Sequence, residues 1–122
     1  MTKIGQKKKL RQRSLQRKAD ILFSQIVRQR AGNKCERCGK TGTLHCHHGV
    51  VHRRYLNTRY EFDNCASLCV NCHNLLGDFP KINTEWFIKR IGLERMEELE
   101  RLAHTNTGKF DYEEVLEKLE GK

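Results

Sequence analysis

No run of eighteen apolar residues occurs in the 122-residue sequence, so no stretch reads as a helix long enough to cross a bilayer. The opening MTKIGQKKKL also lacks the apolar centre of a secretory signal. Without that signal the six cysteines read as metal ligands rather than a secreted disulfide scaffold, and a soluble intracellular protein is expected. Hydrophobic residues are scarce, 37% against 32% charged, so the core must be modest and a metal staple is the support it needs. Proline is limited to Pro80, and no internal repeat is present. Acidic residues are nearly missing from positions 1–34, where eleven Lys/Arg face the single Asp20. The remaining 88 residues hold thirteen Lys/Arg and fourteen Asp/Glu. A basic segment on a neutral body is the footprint of a polyanion binder, although a solubilising tail has the same composition.

What is present concentrates in one block, Cys35 to His73. It opens with Cys35-x-x-Cys38 and closes with Cys69-x-x-Cys72, four thiolates that suit one tetrahedral structural Zn²⁺. The thirty residues between the knuckles exceed a zinc-ribbon gap and must fold as a unit of their own. Cys46 and Cys65 are left over and are expected to be buried small apolar residues rather than ligands.

Five of the six histidines, at 45, 47, 48, 52 and 73, fall within the same block. On a strand, His45 and His47 share one face while Cys46 and His48 share the other. Adjacent histidines on a distorted strand can divide labour, one holding a divalent cation and the other acting as a general base near neutral pH. His73, directly after the last thiolate, is the candidate second ligand of that cation. Two protein ligands leave positions open for phosphate oxygens and water. His45 and His47 both remain candidates for the first ligand, with His47 preferred. His52 and His104 read as solvated side chains.

Along the chain, residues 1–13 read as a basic flexible arm and 14–122 as one domain, with its core at 35–78. Apolar residues Leu15, Ala19, Leu22, Phe23, Ile26 and Val27 recur at helical spacing, predicting an amphipathic helix over 14–30 that Gly32-Asn33 stops. Residues 43–48 and 50–54 read as two strands meeting near Gly49, and 55–63 as an irregular loop. A short helix carrying the second knuckle should end around Gly77 to Pro80. Thr84 is a plausible N-cap for the C-terminal helices (84–120). A second run covers 93–103, 104–108 is a loop, and Asp111-x-x-Glu114 caps the last helix.

The run Leu44-His-Cys-His47-His48, followed by Asn64 and Leu68-Cys69-Val-Asn-Cys72-His73, resembles the HNH (ββα-metal, His-Me finger) nuclease motif flanked by zinc knuckles. Within that superfamily the likeness is to phage recombination nucleases of the NinG/Rap type. It rests on the basic helix before the first knuckle, the Arg59-Tyr-Glu-Phe-Asp-Asn64 approach, the Arg90-Ile-Gly-Leu-Glu-Arg95 stretch and the capped last helix. The sequence departs from that type in having histidine rather than asparagine after the last cysteine. The resemblance implies an α+β fold, with a zinc-stapled ββα-metal core between an N-terminal basic helix and C-terminal helices. It implies catalytic roles for His48, as general base, and Asn64, as the brace of its loop. His47 and His73 would then hold Mg²⁺ or Mn²⁺, while Zn²⁺ sits on the four cysteines. Arg53, Arg54 and Arg59 would face the scissile phosphate, and Arg17, Lys18, Lys7, Lys8 and Lys9 would grip the DNA backbone.

The expected function is metal-dependent hydrolysis of DNA phosphodiesters, on branched DNA in phage recombination, in the host cytoplasm if a phage encodes the chain. Two cuts per junction imply a homodimer, and no membrane partner is expected. Competing readings are a nicking, packaging or restriction endonuclease of the same superfamily, or a zinc-stapled DNA-binding module without catalysis.

Overall fold

The computed structural model describes residues 3–105, 108 and 110–122. Met1 and Thr2 of the expected arm, and residues 106 and 107 of the expected loop, lie outside them. Helix α1 runs Lys3–Arg30, about 42 Å at 1.5 Å per residue. It begins well before Ser14, because no glycine or proline interrupts positions 6–31 and Lys, Arg, Gln and Leu are good helix formers. Its C-terminal half buries Ala19, Phe23 and Val27 against Cys65 and Leu119. Gly32 and Asn33, both at positive φ, then terminate it.

The sheet has two antiparallel strands, β1 (Leu44–His48) and β2 (Cys65–Cys69). The register pairs Leu44 with Cys69, Cys46 with Ser67 and His48 with Cys65. This corrects the expected hairpin across Gly49, in which 50–54 would have been the second strand. Val51 turns inward to a cluster with Leu99 and Ala103, and its backbone is held by the Asn64 side chain rather than by a strand. The sixteen residues between the strands are not irregular throughout. They contain a helical turn, α2 (Leu56–Arg59), and a 3-10 turn at Phe62–Asn64.

Helix α3 (Val70–Asp78) follows β2 directly and carries Cys72 and His73 in its first turn. Helix α4 (Pro80–Ile91) starts four residues before the expected Thr84 cap. The lone proline begins it at N1, where a missing N–H costs nothing. Gly92 (φ 86°) separates α4 from α5 (Leu93–Ala103), and Asp111 caps α6 (Tyr112–Glu120) through the amides of Glu113 and Glu114. The sheet is sandwiched. Cys65 meets α1, while Ala66 and Leu68 join Leu76 and Phe87 of α3 and α4. The chain is therefore α+β, with helices on both faces of a small hairpin and four cysteines at one end.

Candidate active site

The Sγ atoms of Cys35, Cys38, Cys69 and Cys72 lie within 4.8 Å of one another. The Cys38 and Cys69 sulfurs are 3.7 Å apart, against about 3.8 Å for two ligands of tetrahedral zinc with 2.3 Å bonds. No disulfide joins any of the six cysteines. Burial opposes ionisation of Cys35, but the amides of Cys69, Cys38 and Arg37 outweigh it and bring the thiol down to about 6. Burial instead pushes Cys72 up to about 12. Four sulfurs this close ionise together only around a cation, which is the chemistry of a zinc site. Glu36 stiffens the knuckle by accepting from the Ser67 amide at 2.6 Å and from Arg90 at 3.1 Å.

β1 aims alternate side chains at opposite layers, as the strand period demands. His45 and His47 both reach His73, with ring centroids 5.1 and 5.0 Å away. Nδ1 of His73 is buried and has no hydrogen-bond partner among the described residues. A buried ring nitrogen without a partner beside two other imidazoles fits a cation ligand. The His47 ring is oriented by α4. Nδ2 of Asn83 donates to the Gly49 carbonyl at 2.7 Å, so its Oδ1 accepts from Nε2–H of His47 at 2.9 Å. The lone pair of His47 therefore sits on Nδ1, the tautomer a ligand held by an outer hydrogen bond adopts. Sequence reasoning missed Asn83, because nothing local marks a helix residue that reaches a strand thirty-six positions away.

His48 leans on Phe23 of α1, at 6.1 Å between rings. Its Nε2–H donates to the Arg59 carbonyl at 3.0 Å, which leaves the lone pair on Nδ1. Burial pushes His47, His48 and His73 below the ordinary histidine value, which favours the neutral ring in each. His48 shares a second donor group with Cys46 and Cys65, again within 4.8 Å. The Cys65 thiol, pushed well up by burial, hydrogen-bonds Cys46 and holds it below the ordinary thiol value. The leftover cysteines, expected to be inert, thus sit in a donor set. Both the four-cysteine cluster and this group of two thiols and an imidazole are of a kind that suggests zinc binding.

His45, His47, His48 and His73 line one cavity of about 620 Å³, closed on its other side by α1 residues including Asp20, Ser24 and Arg28. Arg53 lies at its rim, and a groove bordered by Arg13, Arg17 and Arg53 continues from it along α1. Lys7, Lys8, Lys9, Arg17 and Lys18 are exposed on that helix, and Arg54 is exposed beside Tyr55. Arg59 is placed otherwise than expected. It is buried, forks onto Asp20 at 3.0 and 2.6 Å, and donates to the Arg53 carbonyl, and it lines the floor of the same groove. Arg28 reaches the cavity from α1.

Asn64 is fully buried and does not line the cavity. Its Oδ1 accepts from the Val51 amide at 2.7 Å, and its Nδ2 donates to the carbonyls of Val51 and Thr58 at 3.0 and 3.2 Å. Its own carbonyl accepts from the Gly49 amide at 3.0 Å. Asn64 thereby ties both ends of the interstrand loop to the residue following His48. Gly49 is obligatory on steric grounds, because a Cβ there would collide with the Phe87 ring.

Residues 35–79 match the family model described as HNH endonuclease, a span that contains the four clustered cysteines, His47, His48, Asn64 and His73. No curated protein and no solved structure matches the chain. Residues 35–79 thus carry an HNH endonuclease domain with cysteine clusters, which implies nuclease activity on a nucleic-acid substrate. No described helix is long and apolar enough to cross a membrane.

Proposed function

We propose that this chain hydrolyses DNA phosphodiester bonds, using the cavity between β1, α1 and α3 as its active site. The observation that carries this is the convergence of the His47, His73 and His48 imidazoles on one cavity that Arg28 and Arg53 also line. His47 and His73 would hold a divalent cation, Mg²⁺ or Mn²⁺, through the nitrogens left without a protein partner. Such an ion, when bound, polarises the phosphate and offsets its growing negative charge. His48 accepts through Nδ1 the proton of a water molecule, whose oxygen forms the new P–O bond as the ester oxygen leaves. Arg28 and Arg53 donate to the non-bridging oxygens. Asn64 is a positioning residue that keeps the His48 backbone in register. The Zn²⁺ on Cys35, Cys38, Cys69 and Cys72 clamps the start of the block to α3 and so fixes His73 relative to β1.

The exposed cations of α1 and the groove leading to Arg53 give the backbone of the DNA a path into the cavity. Branched DNA is the favoured substrate and recombination the favoured role, on the likeness of the basic helix and capped C-terminal helix to phage recombination nucleases. A homodimer is expected if junctions are resolved. The test is nicking of supercoiled plasmid in Mg²⁺ or Mn²⁺ by the wild type, His48→Ala and His47→Ala, with DNA binding measured in parallel. Cleavage should be lost in both variants while binding persists. A wild type that cuts neither duplex nor four-way junction with any divalent metal would leave a binding module instead. Equal cleavage of junction and duplex would remove the recombination role.

A further inference from the structure

We infer that Cys46, Cys65 and His48 form a second, soft-cation site that shares the general base and switches the nuclease off when a thiophilic ion such as Zn²⁺ occupies it. The inference rests on His48 being that base.

Nε2 of His48 is committed to the Arg59 carbonyl, and that carbonyl is itself fixed on a residue whose guanidinium forks onto Asp20. One lone pair remains, on Nδ1. It can take a proton from water or bind a metal ion, but not both at once. A histidine whose other nitrogen donates to a backbone carbonyl is oriented as metal-binding histidines commonly are.

The partners are two thiols beside it on the sheet. Cys46 precedes His48 by two positions on β1 and shares its face, and Cys65 is the cross-strand neighbour of His48 on β2. One donor atom from each of the three side chains lies within 4.8 Å of the others, close enough for small rotamer adjustments to bring them around one ion. Cys46 and His48 also line the cavity, which leaves a fourth position for water. Two thiolates and an imidazole with an open position suit Zn²⁺ and disfavour Mg²⁺, which demands oxygen ligands. The sites would therefore discriminate by ligand softness. The ion that supports cleavage sits with His47 and His73, while the ion that stops it sits on the opposite face of the same strand and captures the neighbouring imidazole.

The test uses the full chain with the zinc of its four-cysteine cluster in place, and Cys46→Ser with Cys46→Ala as a second variant in case serine disturbs the sheet. Zn²⁺ per chain is measured after equilibration and dialysis, and Co²⁺ is titrated while thiolate-to-cobalt absorption is followed. Wild type should hold one more Zn²⁺ per chain than the variants, and the thiolate-to-cobalt absorption should appear in wild type and be lost in the variants. In a Mn²⁺-supported nicking assay, added Zn²⁺ should abolish wild-type cleavage, whereas each variant should keep the rate it shows without Zn²⁺. One ion per chain in wild type, or equal Zn²⁺ inhibition of wild type and variants, overturns the proposal. The second result would place inhibition at the His47–His73 pair. If a second ion binds through Cys46 but no protein cuts DNA, the switch falls with the base assignment while the metal site stands.

Discussion

Replacing Asn64 by alanine isolates the link between fold and chemistry, because the side chain touches no part of the cavity yet governs the loop that leaves His48. Three buried hydrogen bonds disappear, to the Val51 amide and to the carbonyls of Val51 and Thr58. At about 0.5–1.5 kcal/mol net for each, their loss amounts to roughly 1.5–4.5 kcal/mol. The Val51 amide, whose residue is buried, loses the acceptor that satisfied it, which places the cost near about 3–4 kcal/mol. That is a large part of the ~5–15 kcal/mol available to a small domain. Urea unfolding should show the midpoint falling with the slope unchanged, and the zinc content of the four-cysteine cluster should hold below the transition. Nicking under conditions where the variant is folded should drop by more than tenfold with DNA binding retained. Asn64→Asp is the sharper control. It keeps an acceptor for the Val51 amide but sets a carboxylate oxygen against two carbonyls, so it should be no better than alanine. A loss below about 1 kcal/mol for Asn64→Ala, or rescue by aspartate, would refute the idea that this amide braces the loop.

Gly49→Ala should destabilise by about 1–3 kcal/mol or more and reduce cleavage, since the new methyl meets a fully buried Phe87 ring. Adding Phe87→Leu should restore part of both in thermal melts and nicking assays. Cys38→Ser should lose the structural zinc and unfold the block, because the about 10–16 kcal/mol of zinc binding rivals the whole stability of the domain. Atomic absorption and circular dichroism would show it. Acidification should act in two ways. The folded values of His47, His48 and His73 lie below the unfolded one, so the unfolded chain binds more protons and stability falls as pH drops below about 6.5. Cleavage needs neutral His48, so its rate should hold down through about 6.5 and decline only below it; a midpoint above that value in single-turnover nicking contradicts the burial of the base.

Local chemistry made some of this legible in the chain. The two Cys-x-x-Cys knuckles were readable because they depend on short spacing, and the strand period alone assigned His47 and His48 to opposite faces. The capped last helix and the separate run over 93–103 were readable for the same reason. Strand pairing was not. Gly49 looks like a hairpin turn, yet the partner of β1 lies beyond a sixteen-residue loop whose closure depends on one buried amide. Arg59 offers a further case. Nothing near it in the chain reveals that its guanidinium donates to Asp20, thirty-nine residues away.

The sequence by itself determined the donor types and their division into a thiolate set and an imidazole set, since metal preference follows from ligand chemistry and short-range spacing. Only the tertiary structure decided which nitrogen of each histidine is left with a lone pair, and which thiols stand beside it. Those choices are made by Asn83, Arg59 and Cys65, partners distant in the chain that packing brings to the same strand.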